Sequence, residues 1–222
     1  MSKKLRFLIY TILIAVLFVL LCIEGIDIVR HVLFPHPGTW IGNLQLYMWA
    51  GIGALFFMVG QRFLKENLKW FETFTHELIH TIVSILLFRR IHSFEAKNGN
   101  GMMMSSGSDK TLVFVDLAPY CLPIYTYILL IIRSITTGQF LWCIDTMIGI
   151  SLAFHIGCFK KQIGSYQSDI NKRPLYFSYT YIATALLFNT CVFLVSFWST
   201  KNVFTALWYV IKGLFKFQNL WQ

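Results

Sequence analysis

Long apolar stretches alternate with short polar or basic connectors along most of this 222-residue chain. Several stretches approach the ~20 apolar residues that an α-helix needs to cross the hydrocarbon core of a bilayer. The pattern predicts an all-α polytopic membrane protein with about six to seven transmembrane helices. The predicted spans are 7–23, 44–60, 71–88, 112–132, 140–158 and 176–198, followed by a C-terminal stretch, 203–221, that either spans or lies in the interface.

Prolines and glycines mark the breaks in this pattern. Phe34-Pro35-His36-Pro37-Gly38 predicts a loop between the first two spans. Pro119 and Pro123 interrupt the fourth span, where they free backbone groups that neighbouring elements must satisfy. A break of this kind predicts a cavity lined by the fourth span.

A small β-hairpin is predicted directly after the third span. Residues 91–96 alternate in character, and Asn98-Gly99-Asn100-Gly101 is a turn signal between two extended pieces. Such a hairpin is either a plain surface feature or an edge strand that accepts an extended peptide.

Composition and charge support the membrane interpretation. The chain is 56% hydrophobic and 13% charged, and its mean hydropathy of +0.61 is typical of a membrane protein. The net charge of +9 comes from basic residues at the ends of apolar runs, as in Arg89-Arg90 and Lys160-Lys161. This placement favours anchoring at lipid headgroups over binding of nucleic acid. The five cysteines form no C-x-x-C pair, so no disulfide framework is predicted.

The third predicted span carries a stripe of polar side chains. Thr73, His76, Glu77, His80 and Ser84 recur at helical spacing within an otherwise apolar run. Ionisable groups at membrane depth are costly and normally face the interior of a helix bundle. The stripe is therefore the main candidate for a functional site.

His76-Glu77-Leu78-Ile79-His80 is an H-E-x-x-H motif. Two imidazoles four residues apart lie on one helix face and can bind one Zn²⁺, while the glutamate beside the open coordination position acts as general base. The motif thus predicts His76 and His80 as metal ligands and Glu77 as the catalytic residue. The alternative is a pair of structural histidines that hydrogen-bond to a neighbouring helix.

Together these residues resemble the site-2 protease group of intramembrane zinc metallopeptidases, the M50 peptidases, and in particular their small bacterial M50B-like members. The similarity covers about residues 71–169 and rests on the H-E-x-x-H motif, the Gly-rich piece 99–104, and Leu117-Ala118-Pro119-Tyr120. The last segment is similar to the family's A-G-P segment but lacks its glycine. The resemblance implies a catalytic core within residues 71–170 of a single membrane domain, 1–222, in a bacterial cytoplasmic membrane.

The chain departs from this family in its third metal ligand. Members usually supply an aspartate from an N-P-D-G or L-D-G motif, and neither occurs here. Asp169 falls where that aspartate is expected in chain order, and it is assigned as the third ligand. Asp145, His155 and Asp116 remain alternatives. Because Asp145 and His155 are ~15 Å apart along one helix, a single metal site does not use both.

The predicted function is an intramembrane zinc metalloprotease that acts on membrane-embedded or membrane-associated protein substrates. Its partners are then a membrane protein and the lipid bilayer, and Zn²⁺ is its cofactor. A competing hypothesis is a non-enzymatic metal-binding membrane protein or transporter in which the motif is structural. A further alternative is a metallohydrolase that acts on soluble substrates at the interface.

Overall fold

The computed structural model describes residues 2–33, 40–136, 138–164, 166–198 and 202–216. The predicted loop 34–38 and the last residues of the C-terminal stretch lie outside these ranges. Within them the chain is mostly helical, with one two-stranded sheet. The elements are α1 (Lys3–Leu33), α2 (Trp40–Gly60), α3 (Lys65–Leu86), β1 (Arg90–Lys97), β2 (Asn100–Ser106), α4 (Asp109–Cys121), α5 (Ile124–Ile135), α6 (Leu141–Gln162), α7 (Ser168–Asn171), α8 (Leu175–Trp198) and α9 (Val203–Lys216).

Among the described residues, three helices are long and apolar enough to cross a membrane. They lie at Lys3–His31, Gly138–Gln162 and Leu175–Phe197, and α4 with α5 makes a fourth if the bent pair is one span. The prediction of six to seven spans is therefore not confirmed. Shorter apolar helical stretches, Tyr47–Gly60 and Val203–Phe215, lie in α2 and α9. The motif helix α3 is not among the three because its polar stripe interrupts the apolar run.

The predicted break in the fourth span is confirmed. Helices α4 and α5 meet at 77°, with Pro119 inside α4 and Pro123 at the start of α5. Proline cannot donate a backbone hydrogen bond, so the helix cannot continue straight through this segment. The bend leaves α4 beside α3 and directs α5 along α6.

The predicted hairpin is also confirmed. Strands β1 and β2 are antiparallel, with Ala96 opposite Gly101 and Lys97 opposite Asn100 across the turn. Gly99 has φ +82°, a conformation that glycine adopts without a steric penalty. The hairpin packs on α3, where the ring centroids of Phe74 and Phe94 are 5.8 Å apart.

Two buried apolar clusters hold the helices together. The first joins α1, α6, α8 and α9 around Ile148 and Val192, both with no exposed surface. The second joins α4, α7 and α8 around Leu117 and Ile170. Ile170 is fully buried, and this fixes the short α7 against the longer helices.

Helices α2 and α6 are in direct backbone contact through two glycines. A Cβ placed on Gly53 would overlap the carbonyl of Thr146, and a Cβ on Gly149 would overlap the carbonyl of Ala50. Small residues at helix interfaces allow such close approach in membrane proteins. Only glycine, which has no Cβ, fits at either position without moving the two helices apart.

We expect Gly53→Ala and Gly149→Ala each to lower the free energy of unfolding by about 1–3 kcal/mol, because the added methyl group forces the two backbones apart. Gly51→Ala and Gly60→Ala are the matched controls, since nothing lies within 4 Å of a Cβ at either position. Thermal unfolding of the four variants in detergent measures the difference. Equal effects at all four sites would contradict the close contact.

Candidate metal centre

His76 and His80 project from α3 toward a single carboxylate oxygen. The Nε2 atom of His80 lies 3.2 Å from Oδ2 of Asp169, and Nε2 of His76 lies 3.6 Å from the same oxygen. The ligand atoms of the three residues lie within 4.8 Å of one another. In the part of the chain that the structure describes, this is the only such group of three metal-binding side chains.

The donor set and the spacing fit a zinc ion. Structural and catalytic zinc sites use imidazole nitrogens and carboxylate oxygens at ~2.0–2.2 Å from the metal. Two ligands at that distance in a tetrahedral arrangement lie ~3.3 Å apart, and this is close to both separations around Asp169. A site with three protein ligands leaves a fourth position open for water or substrate.

The two imidazoles are oriented through their other ring nitrogens. Nδ1 of His80 donates to the carbonyl of Val115 at 2.8 Å, and Nδ1 of His76 donates to the amide oxygen of Gln162 at 3.0 Å. Because a carbonyl oxygen only accepts hydrogen bonds, each Nδ1 carries a proton, and in the neutral ring Nε2 then has a free lone pair. This is the tautomer that a metal ligand at Nε2 requires.

The proline inside α4 explains why the Val115 carbonyl is free to accept from His80. In a regular helix this carbonyl would accept from the backbone N–H four residues later, at position 119. That residue is Pro119, which has no N–H. Pro119 therefore leaves the Val115 carbonyl free to accept the hydrogen bond that orients His80.

Asp169 reaches the histidines from α7, a four-residue helix in the connector between α6 and α8. Its other carboxylate oxygen, Oδ1, accepts from Nζ of Lys172 at 3.1 Å. Burial alone would raise the pKa of Asp169, but the two adjacent histidines and the charge of Lys172 hold the pKa below its usual range. The side chain of Asp169 is therefore an anionic carboxylate at neutral pH.

None of the other three candidates for the third ligand belongs to this group of ligand atoms. Asp116 pairs with Arg173, and Asp145 pairs with Arg133 at 2.6 Å near the far end of α6. His155 lines a small cavity behind His76, and its Nε2 atom has no hydrogen-bond partner among the described residues. Asp169 alone of the four brings an oxygen beside both imidazoles, and its role as a ligand stays a prediction.

Glu77 lies one residue from His76 and faces the hairpin. Its side chain is buried, and a Cβ on Gly101 of β2 would overlap the Glu77 carboxyl group. Two cavities, of about 330 and 530 Å³, lie beside the group. Both are lined by Glu77, Gly101, Ser168 and Asp169.

Sequence reasoning missed several residues that build this site. Gln162, the Val115 carbonyl and the pair formed by Lys172 and Arg173 belong to no motif. Tyr120 has no exposed surface, and its ring meets the His76 ring edge-on at a centroid distance of 5.5 Å. The sequence contains one signal for the Val115 acceptor. Pro119 lies four residues after Val115 and has no N–H, so the Val115 carbonyl lacks its helical partner.

The fold and the site define a helical integral membrane protein whose H-E-x-x-H helix places two imidazoles beside a carboxylate. The model of one protein family, described as Peptidase M50B-like, matches residues 48–160, just over half of the chain. The chain therefore belongs to the peptidase M50B-like family, and the resemblance found in its sequence is confirmed. The matched segment contains the motif, the hairpin and the bent pair, while Asp169 lies beyond it. No curated protein and no solved structure gives a significant match to the chain.

We expect the purified protein to contain about one zinc ion per chain and to lose it on replacement of His76, His80 or Asp169 by alanine. Asp145→Ala and His155→Ala should retain the metal, because neither side chain reaches the imidazoles. Elemental analysis of the folded variants measures the zinc content. A variant series in which Asp145→Ala loses zinc and Asp169→Ala keeps it would contradict the assignment.

Proposed function

We propose that this protein is an intramembrane zinc metalloprotease that hydrolyses peptide bonds of membrane-embedded or membrane-associated proteins. The observation that carries the proposal is the convergence of both motif imidazoles on Asp169, with Glu77 beside them. Membership of a peptidase family gives the reaction class. His76, His80 and Asp169 hold the metal in this proposal.

Each side chain then has a defined task. A bound zinc ion supplies an acidified water with a pKa of ~7 and polarises the scissile carbonyl. Glu77 accepts a proton from the attacking water at its carboxylate and returns it to the leaving amine. Gln162 and the Val115 carbonyl keep His76 and His80 in the tautomer that binds metal.

The hairpin provides a place for an extended substrate segment. In the two-stranded sheet, β1 pairs with one edge of β2, and no described strand pairs with the other edge. A transmembrane helix shields its own peptide bonds, so the substrate must unwind locally before it can be cleaved. An unwound segment that pairs with the free edge of β2 replaces its lost backbone hydrogen bonds. Gly101 brings that strand close enough to Glu77 for the scissile bond to reach the site.

We also propose how the protein is arranged in the membrane. We place the catalytic core at residues 71–170 of a single membrane domain that covers 1–222. We count α2, α3 and α9 as additional membrane-embedded helices, giving six to seven spans in a bacterial cytoplasmic membrane. The bilayer and a membrane-protein substrate are then its partners.

Glu77→Gln tests the general base. We expect this variant to retain zinc and to lose at least about 100-fold in cleavage rate, because the amide cannot accept the proton. Glu72→Gln is the matched control, since Glu72 is a buried carboxylate on the same helix that pairs with Lys161. Cleavage is measured by gel and mass spectrometry on a panel of single-span proteins reconstituted with the enzyme.

Two results would overturn the proposal. Full activity in Glu77→Gln would remove Glu77 from the mechanism. A wild-type protein that binds zinc and cleaves no member of the panel would favour the non-enzymatic alternative.

Gly101→Ala tests the contact between the hairpin and Glu77. The added methyl group displaces the Glu77 carboxyl group, and we expect about a 100-fold loss of cleavage with zinc retained, because small misplacements of catalytic groups are that costly. Gly107→Ala is the control, since the atoms nearest to a Cβ there belong to the Arg89 side chain and lie 3.0 Å or more away. Equal activity of the two variants in the same reconstituted assay would contradict the role of the contact.

A further inference from the structure

Asp169, the proposed third ligand, lies on α7, which is too short to be stable by itself. Helix α7 has only four residues and lies in the connector 163–174 between two long helices. One turn of helix has little stability of its own. The position of Asp169 relative to His76 and His80 must therefore be set by contacts with other elements.

One of these contacts is a buried ion pair to α4. The Nη2 atom of Arg173 donates to Oδ2 of Asp116 at 2.6 Å, and the two side chains are only 6% and 5% exposed. The other oxygen of Asp116 accepts from Nζ of Lys172 at 3.0 Å. Both basic residues directly follow α7, so one carboxylate on α4 holds the end of the short helix at two points.

Lys172 extends this network to the metal centre. Its Nζ atom contacts Oδ1 of Asp169 as well as Asp116, while Oδ2 of Asp169 faces the two imidazoles. The hydrogen bond to Oδ1 and the position of Oδ2 beside the imidazoles favour metal binding through Oδ2. Asp116 also directly follows Val115, whose carbonyl orients His80. Neighbouring residues of α4 thus act on two of the three ligand groups.

We propose that Asp116 is a positioning residue that, through Arg173 and Lys172, fixes Asp169 as a one-oxygen ligand beside the histidines. The proposal rests on the proposed function, because it assumes that the three residues bind a metal. Contacts to metal ligands of this kind commonly contribute 10–100-fold in affinity. The two basic residues would then be part of the metal centre although neither touches the metal.

The chain contains a matched control for this ion pair. Arg133 and Asp145 are also 2.6 Å apart and only 7% and 9% exposed. Asp145 lies ~25 Å along α6 from Gln162, the end of the helix that contacts His76. Loss of either pair leaves a buried unpaired charge and destabilises the protein. Only the loss of the Asp116 pair should change the metal centre.

The test measures zinc affinity by competition with a chromophoric chelator, together with the unfolding temperature of each purified, monodisperse variant. We expect Asp116→Asn to weaken zinc binding by about 10–100-fold relative to wild type. Asp145→Asn should lower the unfolding temperature but change the affinity by less than about twofold, since distant sites act independently. Equal affinities of the two variants would overturn the proposal.

A second pair of variants keeps the test decisive if Asp116→Asn does not fold. Lys172 is about half exposed, so Lys172→Gln should fold, and we expect it to weaken zinc binding by about tenfold. Lys172→Arg should restore most of the affinity because it keeps the charge. Unchanged affinity in Lys172→Gln would overturn the role of the network. Absence of zinc binding by the wild type would instead overturn the proposed function itself.

Discussion

The candidate site depends on the close approach of the His76 and His80 imidazoles, on one helix, to the Asp169 carboxylate, which comes from a connector distant in sequence. Ionisable groups buried among apolar helices are costly unless they are paired or bind a metal. Four helices produce this approach: α3 carries the histidines, α4 and α6 accept hydrogen bonds that orient them, and α7 carries Asp169. Four groups of the polar stripe of α3 have a hydrogen-bond partner, namely Thr73, His76, His80 and Ser84, and these bonds offset the cost of their burial.

Breaks in regular structure supply the remaining parts of the site. Pro119 removes one helical hydrogen bond from α4 and leaves the Val115 carbonyl for His80. The bend of 77° at Pro123 turns α5 away, so that α4 remains beside the motif helix. Gly101 lets a strand approach the carboxyl group of Glu77 more closely than any side chain would allow. Each of these features weakens a secondary-structure element and shapes the candidate site.

Much of this arrangement is local in sequence and was predictable from it. The helical spacing of His76 and His80, the Asn-Gly turn and the proline break are all patterns within a few residues. Asp169 was selected by chain order and by resemblance to a family; one of its oxygens lies beside both imidazoles, and its role as a ligand stays a prediction. The pairing of Asp116 with Arg173 was not predictable, because these residues are far apart in the chain and only the packing of α7 on α4 brings them together. The same holds for Gln162 beside His76. The number of spans was the weakest prediction: among the described residues only three helices, or four with the bent pair, are long and apolar enough to cross a membrane, and the polar stripe keeps α3 out of that number.

X-ray absorption spectroscopy at the zinc edge of the purified protein tests the central claim most directly. We expect nitrogen and oxygen neighbours at ~2.0–2.2 Å, with imidazole scattering from two histidines and no sulfur. The Asp169→Ala variant should lose one light-atom neighbour if it retains any metal. A sulfur neighbour at ~2.3 Å, or imidazole scattering that persists when His76 and His80 are both replaced, would contradict the account.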